Sequence, residues 1–159
     1  MQTTINLKRR HLLASSLLLL LPKVWAASDS DSNEPVIDVW KSPACGCCKD
    51  WISYLKNNGF IVRVHDTGNA AARRRLGIPE EYASCHTATV DGYVLEGHVS
   101  VREIRRLLAE RPDALGLAVP KMPIGSPGMD GPIYEGEREP YDVLLLAKDG
   151  SSRVFQSYR

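Results

Sequence analysis

No stretch of about 20 consecutive apolar residues occurs in this 159-residue chain; its most apolar segment, Leu12 to Leu21, is cut off by Pro22 and Lys23. That is too short for a membrane-spanning helix. A large positive excess is also missing. Removing residues 1–26 takes away Lys8, Arg9, Arg10 and Lys23 but no acid, which leaves 16 basic residues against 19 acidic ones. A slightly acidic domain lacks the basic surface that nucleic acid requires, so no nucleic-acid partner is expected. There is no internal repeat. Cysteine is scarce at four residues, and three of them fall within four positions, Cys45-Gly46-Cys47-Cys48. An even spread of structural disulfides does not look like this.

The N-terminus is informative. Lys8-Arg9-Arg10, the apolar segment, and small residues at Ala26 and Ala27 have the layout of a secretory signal peptide over residues 1–26. Arg9-Arg10 followed by His11-Leu12-Leu13 also resembles a twin-arginine signal. The expected location is the periplasm of a Gram-negative type cell, with no membrane span once the signal is removed. Residues 27–35 are rich in Ser, Asp, Asn and Glu and read as a disordered leader; residues 36–159 are one domain's worth of chain.

Within that domain, Val36 to Trp40 is a β-branched and aromatic run. From Cys48 onward, Trp51, Ile52 and Leu55 recur at helical spacing, and Gly59 stands where a helix ends. The cysteine cluster is therefore placed on the N-terminal turn of the first helix. Phe60–His65 reads as a strand and Ala70–Leu76 as a short helix. Thr87–Val90 and Tyr93–His98 flank Asp91-Gly92, a strong hairpin signal. Ser100 and Glu103 form a capping-box pattern ahead of Val101, Ile104, Leu107 and Leu108, and Pro112 ends that helix. Gly116–Pro132 reads as a Pro/Gly/Met-rich loop, and Tyr141–Ala147 with Arg153–Tyr158 as a second hairpin around Asp149-Gly150. The order βαβα, hairpin, helix predicts an α/β fold: a thioredoxin-like three-layer sandwich with an extra C-terminal β-hairpin.

The chemistry centres on sulfur. Thiols at a helix N-terminus face unpaired N–H groups and the positive end of the macrodipole, which favour thiolate. Cys45 and Cys48 form a C-x-x-C suited to disulfide exchange, with Cys45 attacking and Cys48 resolving, but Cys47 between them offers a competing partner. Three thiolates on one turn can instead hold Cu(I), singly or as a multinuclear group, because soft sulfur ligands select it. Cys85-His86 lies just before the third strand and is expected to face the cluster. No proline stands there, Pro79 being the nearest, which weakens the exchange reading and favours metal. Zinc ranks below copper, because consecutive cysteines seldom both reach one tetrahedral ion. A Cys45–Cys48 disulfide with a purely structural role is the remaining alternative. Met122 and Met129 are candidate thioether ligands if their loop folds over the cluster, or else gap fillers. His98 and His65 are further candidates at strand ends.

Taken together, Lys41 to Cys48, Ser84-Cys85-His86-Thr87, Glu96-Gly97-His98-Val99, Gly116 to Pro120, Met122-Pro123 and Gly125 to Met129 resemble the CopG-type copper-resistance family, a periplasmic family distinct from the DNA-binding repressor of the same name. The resemblance spans nearly all of the chain after the leader. It implies a thioredoxin-like fold, copper bound through the cysteine motif, and a role in copper resistance beside other periplasmic copper-resistance proteins. Whether such a protein turns over, as a copper or thiol-disulfide oxidoreductase, or only binds is left open by the residues. The acidic Glu135–Glu139 insert has no place in this reading.

Overall fold

The computed structural model describes residues 34–159, so the signal-peptide expectation and most of the leader lie outside the described residues. The leader's last residue is tied to the sheet, the Pro35 carbonyl accepting the Ile61 N–H at 3.2 Å. Strand β1 (Val36–Lys41) alternates as a half-buried strand should, with Ile37, Val39 and Lys41 facing inward. Helix α1 (Gly46–Asn57) buries Cys48, Trp51, Ile52 and Leu55, one helical stripe. It ends as expected: the Asn58 and Gly59 N–H groups turn back to the Leu55 and Lys56 carbonyls.

Strand β2 (Ile61–His65) runs parallel to β1, helix α2 (Ala70–Arg75) follows, and strands β3 (His86–Val90) and β4 (Tyr93–Glu96) make the hairpin. Asp91 and Gly92 both have positive φ, 46° and 85°, as a type I′ turn requires. Helix α3 (Val101–Glu110) packs Val101, Ile104 and Leu107 inward. The seven-stranded sheet has the order β2-β1-β3-β4-β5-β6-β7. One face carries α1 and α3, whose Trp51, Leu55, Ile104 and Leu107 share a core with Ile37, Val39, Leu95 and Val143. On the other face Val94, Ala118 and Leu146 are covered by Ile78 and Tyr82 beyond α2. The fold is thus α/β in three layers.

Three expectations need correction. Gly116–Ala118, read as the start of a loop, is a short strand β5, parallel to β4 and antiparallel to β6 (Tyr141–Leu146). Three residues are too few to show a period, yet this strand joins the C-terminal hairpin of β6 and β7 (Ser152–Tyr158) to the core sheet. Next, β4 stops at Glu96 and not at His98, because Gly97 adopts φ 72° and turns the chain off the strand. Finally, the capping box does not form around α3. The Ser100 hydroxyl meets the Glu103 carboxylate in place of a backbone amide, and the Val101 N–H donates to the Tyr54 hydroxyl oxygen at 3.1 Å. Glu103 is also held by Tyr158 at 2.9 Å, which ties α3 to the last strand.

The acidic insert is also placed. The Glu139 carboxylate accepts the Ile124 N–H at 2.9 Å, and Arg138 lies against Gly125, so the insert straps down the loop that precedes it.

The buried Trp51 links α1 to the segment after β4, donating its indole N–H to the Val99 carbonyl at 2.8 Å. Trp51→Phe keeps an aromatic ring but leaves that buried carbonyl unpaired. Urea unfolding should show a loss of about 1–3 kcal/mol relative to the parent chain; an unchanged midpoint would mean that the bond contributes nothing net.

Candidate metal centre

The loop Ser42–Ala44 delivers Cys45 to the N-cap of α1, its N–H bound to the Ser42 carbonyl at 3.1 Å. Cys47 and Cys48 follow in the first turn. Cys45 and Cys48 are joined in a disulfide, with Cα atoms 5.4 Å apart, while Cys47 and Cys85 are free thiols. This is the C-x-x-C bond that the sequence allowed. Cys85 comes from the other side, at the mouth of β3. Its sulfur lies 3.8 Å from that of Cys47, which lies 3.6 Å from that of Cys45. All four sulfur atoms sit within 4.8 Å of one another. Cys85 faces the cluster, and His86 reaches it only through Cys85.

The two histidines meet at Cys85. His86 is fully buried against the Trp51 ring at 4.2 Å between centroids, with Nδ1 3.3 Å from the Cys85 sulfur. His98, also fully buried, has Nε2 3.1 Å from the same sulfur, while its Nδ1 is 2.8 Å from the Pro127 carbonyl. A carbonyl only accepts, so Nδ1 carries the proton and the Nε2 lone pair faces Cys85. Burial holds both imidazoles below their ordinary pKa, and for His86 the nearby His98 adds to this. Both are neutral near pH 7. Burial, reinforced by the neighbouring Cys47, pushes the Cys85 thiol up to about 12, so metal binding there must displace a proton.

The methionine-bearing loop folds over this turn. Gly128, at φ 87°, lies so close that a Cβ would stand 2.8 Å from the Cys47 carbonyl and the Trp51 amide nitrogen. Met129 follows, its sulfur accepting the Tyr134 hydroxyl at 3.2 Å. Met122, by contrast, is exposed and lines a surface groove with Pro120, Pro123 and Tyr141. His65 stacks on Trp40 and pairs with Asp38, a packing role at the sheet edge.

Sequence reasoning quoted Glu96 within a motif but missed its role. This fully buried carboxylate accepts the Ser84 N–H at 2.7 Å and the Thr87 hydroxyl at 2.6 Å, with Arg73 at 3.5 Å. Asn69 completes the frame by donating to the Ser84 carbonyl at 3.1 Å. Together they fix the backbone on both sides of Cys85. An acid ending the otherwise apolar run Tyr93-Val94-Leu95 was the available signal.

With this geometry in place, two solved structures are decisive. The copper resistance protein CopG in form 2 is 42% identical, with the match covering 79% of this chain and 99% of that one at a TM-score of 0.73. Form 1 is 44% identical, with coverage of 79% and 98% and a TM-score of 0.72. The chain belongs to the CopG copper-resistance family. The family described as a protein of unknown function, DUF411, matches residues 82–129. That span contains Cys85, His86, His98 and the Met129 loop but not the C-x-C-C motif. No curated protein matches the chain.

Burial raises the Glu96 carboxyl from 4.5 to about 7, against the pull of Thr87, Ser84 and Arg73. An acid with a raised folded-state pKa binds its proton more tightly folded than unfolded, so its contribution is full below about pH 4.5 and is lost as pH rises towards 7. His86 and His98 act oppositely, their contribution being lost as pH falls below 6.5. Subtracting the unfolding free energy of Glu96→Gln from that of the metal-free parent should isolate the first trend, a difference that falls between pH 4.5 and 7. A difference that is flat over that range would refute the shift.

Proposed function

We propose that the reduced chain holds Cu(I) between Cys45, Cys47, Cys48 and Cys85, with His86, His98 or Met129 completing the shell, and serves copper resistance in the periplasm. The observation that carries this reading is the convergence of all four cysteine sulfurs within 4.8 Å, in a chain 42–44% identical to copper resistance proteins. Thiolates select Cu(I) over harder ions. Sulfur contacts of 3.6 Å within the helix turn and 3.8 Å across to Cys85 on the other segment suit shared, bridging ligands and hence more than one copper per chain. The signal-like N-terminus supports export, and no helix among the described residues is long and apolar enough to cross a membrane. The β2-β1-β3-β4 order, with α1 leaving β1 at the cysteines, supports the thioredoxin-like reading of the core.

The Cys45–Cys48 disulfide favours a second activity, thiol-disulfide exchange, in which an external thiolate attacks one sulfur and the other leaves. The two readings meet in one balanced step: two thiolates pass one electron each to two Cu(II) ions, giving two Cu(I) ions and the Cys45–Cys48 bond. This is redox conversion of copper on the atoms that bind it.

Anaerobic Cu(I) titration of the reduced chain against a chromophoric chelator tests the reading. More than one tightly held copper per chain is expected, and the quadruple Cys→Ser variant should bind at least about tenfold more weakly. Equal binding by parent and variant, together with rapid disulfide exchange, would assign the site to the second activity.

A further inference from the structure

Cys85 belongs to two ligand groups at once. One is the four-cysteine group; the other is Cys85 with His86 and His98, whose donor atoms also lie within 4.8 Å of one another. These groups share no other residue, and they respond differently to oxidation. In the disulfide form Cys45 and Cys48 are neutral sulfurs and poor ligands, so the all-sulfur group is dismantled. The second group is untouched.

Its geometry suits a metal ion. Metal–sulfur bonds of about 2.3 Å and metal–nitrogen bonds of about 2.0 Å put tetrahedral donors roughly 3.3–3.8 Å apart. The Cys85 sulfur stands 3.3 Å from His86 Nδ1 and 3.1 Å from His98 Nε2, within a few tenths of an ångström of that spacing. His98 is oriented as a ligand is, its second nitrogen giving its proton to the Pro127 carbonyl. His86 is fully buried and its Nε2 has no hydrogen-bond partner among the described residues. The nitrogen it aims at Cys85 is Nδ1, which is therefore the one that would bind the ion. The Cys47 sulfur, 3.8 Å from that of Cys85, adjoins the fourth position. Two imidazoles with one or two thiolates make a borderline donor set, suited to zinc and unlike the all-thiolate set that selects Cu(I).

We propose that, while Cys45 and Cys48 are joined, the chain binds one divalent ion of the zinc class through Cys85, His86 and His98, and that reducing the disulfide hands Cys85 over to the all-sulfur copper site. Reduction is by an external dithiol. It supplies two electrons and two protons, the Cys45–Cys48 bond breaks to give two thiols, and the dithiol leaves as its own disulfide. The thiol redox state then sets which metal the protein holds. The hand-over half of this proposal rests on the copper reading above; the binding half does not.

The test uses Co(II) as a spectroscopic probe and Zn(II) as competitor, on the full chain with its disulfide intact. The expected result is one Co(II) per chain with a sulfur-to-cobalt charge-transfer band and the intense visible bands of a four-coordinate ion, all abolished by stoichiometric Zn(II). In a Cys47→Ser background, so that no second thiolate can supply the band, Cys85→Ser, which is nearly isosteric, should remove the charge-transfer band, and His98→Gln should weaken binding at least about tenfold. The Cys45→Ser/Cys48→Ser double variant should bind Co(II) as the oxidised parent does, whatever the reductant. Adding Cu(I) to the reduced parent should expel the probe, but not from the double variant at equal copper. No Co(II) band in the oxidised parent, or a band that survives Cys85→Ser in the Cys47→Ser background, overturns the proposal even if the reduced chain binds Cu(I). Strong Co(II) binding by the oxidised chain with no Cu(I) binding by the reduced one would sink the copper reading and the hand-over, and leave the divalent site standing.

Discussion

Everything at this site depends on the buried Glu96 carboxylate accepting the Ser84 N–H at 2.7 Å. Cys85 lies far along the chain from the C-x-C-C turn, on a segment with no helix to stiffen it. A buried carboxylate is costly unless its oxygens are satisfied, and Ser84, Thr87 and Arg73 together satisfy it. That requirement works in both directions. The acid needs the Ser84 amide, so the backbone before Cys85 has one position, and the thiol meets Cys47 across the gap between β3 and α1. Trp51 adds the second constraint by clamping α1 to Val99 while its ring backs His86.

Much of this was legible in the sequence, where a single period or a single turn decides the outcome. The stripe Cys48, Trp51, Ile52, Leu55 gave α1, and the Asp91-Gly92 pair gave the β3–β4 turn. The proximity of Cys85-His86 to the C-x-C-C motif followed from element order. Strand β5 escaped because three residues carry no period and its pairing with β4 and β6 is entirely tertiary. His98 was read as a strand end, since nothing local reveals that Gly97 at φ 72° swings it onto Cys85. Glu96 stood in a quoted motif without a role for a related reason: a carboxylate's partners on α2 and before β3 are fixed only once the sheet has assembled. Met129 and Met122 look alike in sequence, yet the fold separates them. One follows a glycine laid on the Cys47 turn; the other is exposed.

The arrangement divides labour between two kinds of support. The helix turn supplies the disulfide-bonded pair Cys45–Cys48. The sheet side supplies donors that do not change, Cys85, His86 and His98, held by Glu96 and by the Pro127 carbonyl. A covering loop, itself strapped by Glu139 to the acidic insert, closes over the junction. On the proposed reading, such a site would gain and lose two thiolates without losing its frame.

The central claim is that copper in the reduced protein is held by sulfur from both sides of this junction. X-ray absorption at the copper edge, on the reduced chain loaded with Cu(I), measures it most directly. The account predicts a first shell dominated by sulfur with a copper–copper scattering feature beyond it, and loss of that feature in Cys85→Ser. A first shell of nitrogen and oxygen, or a spectrum that Cys85→Ser leaves unchanged, would contradict it.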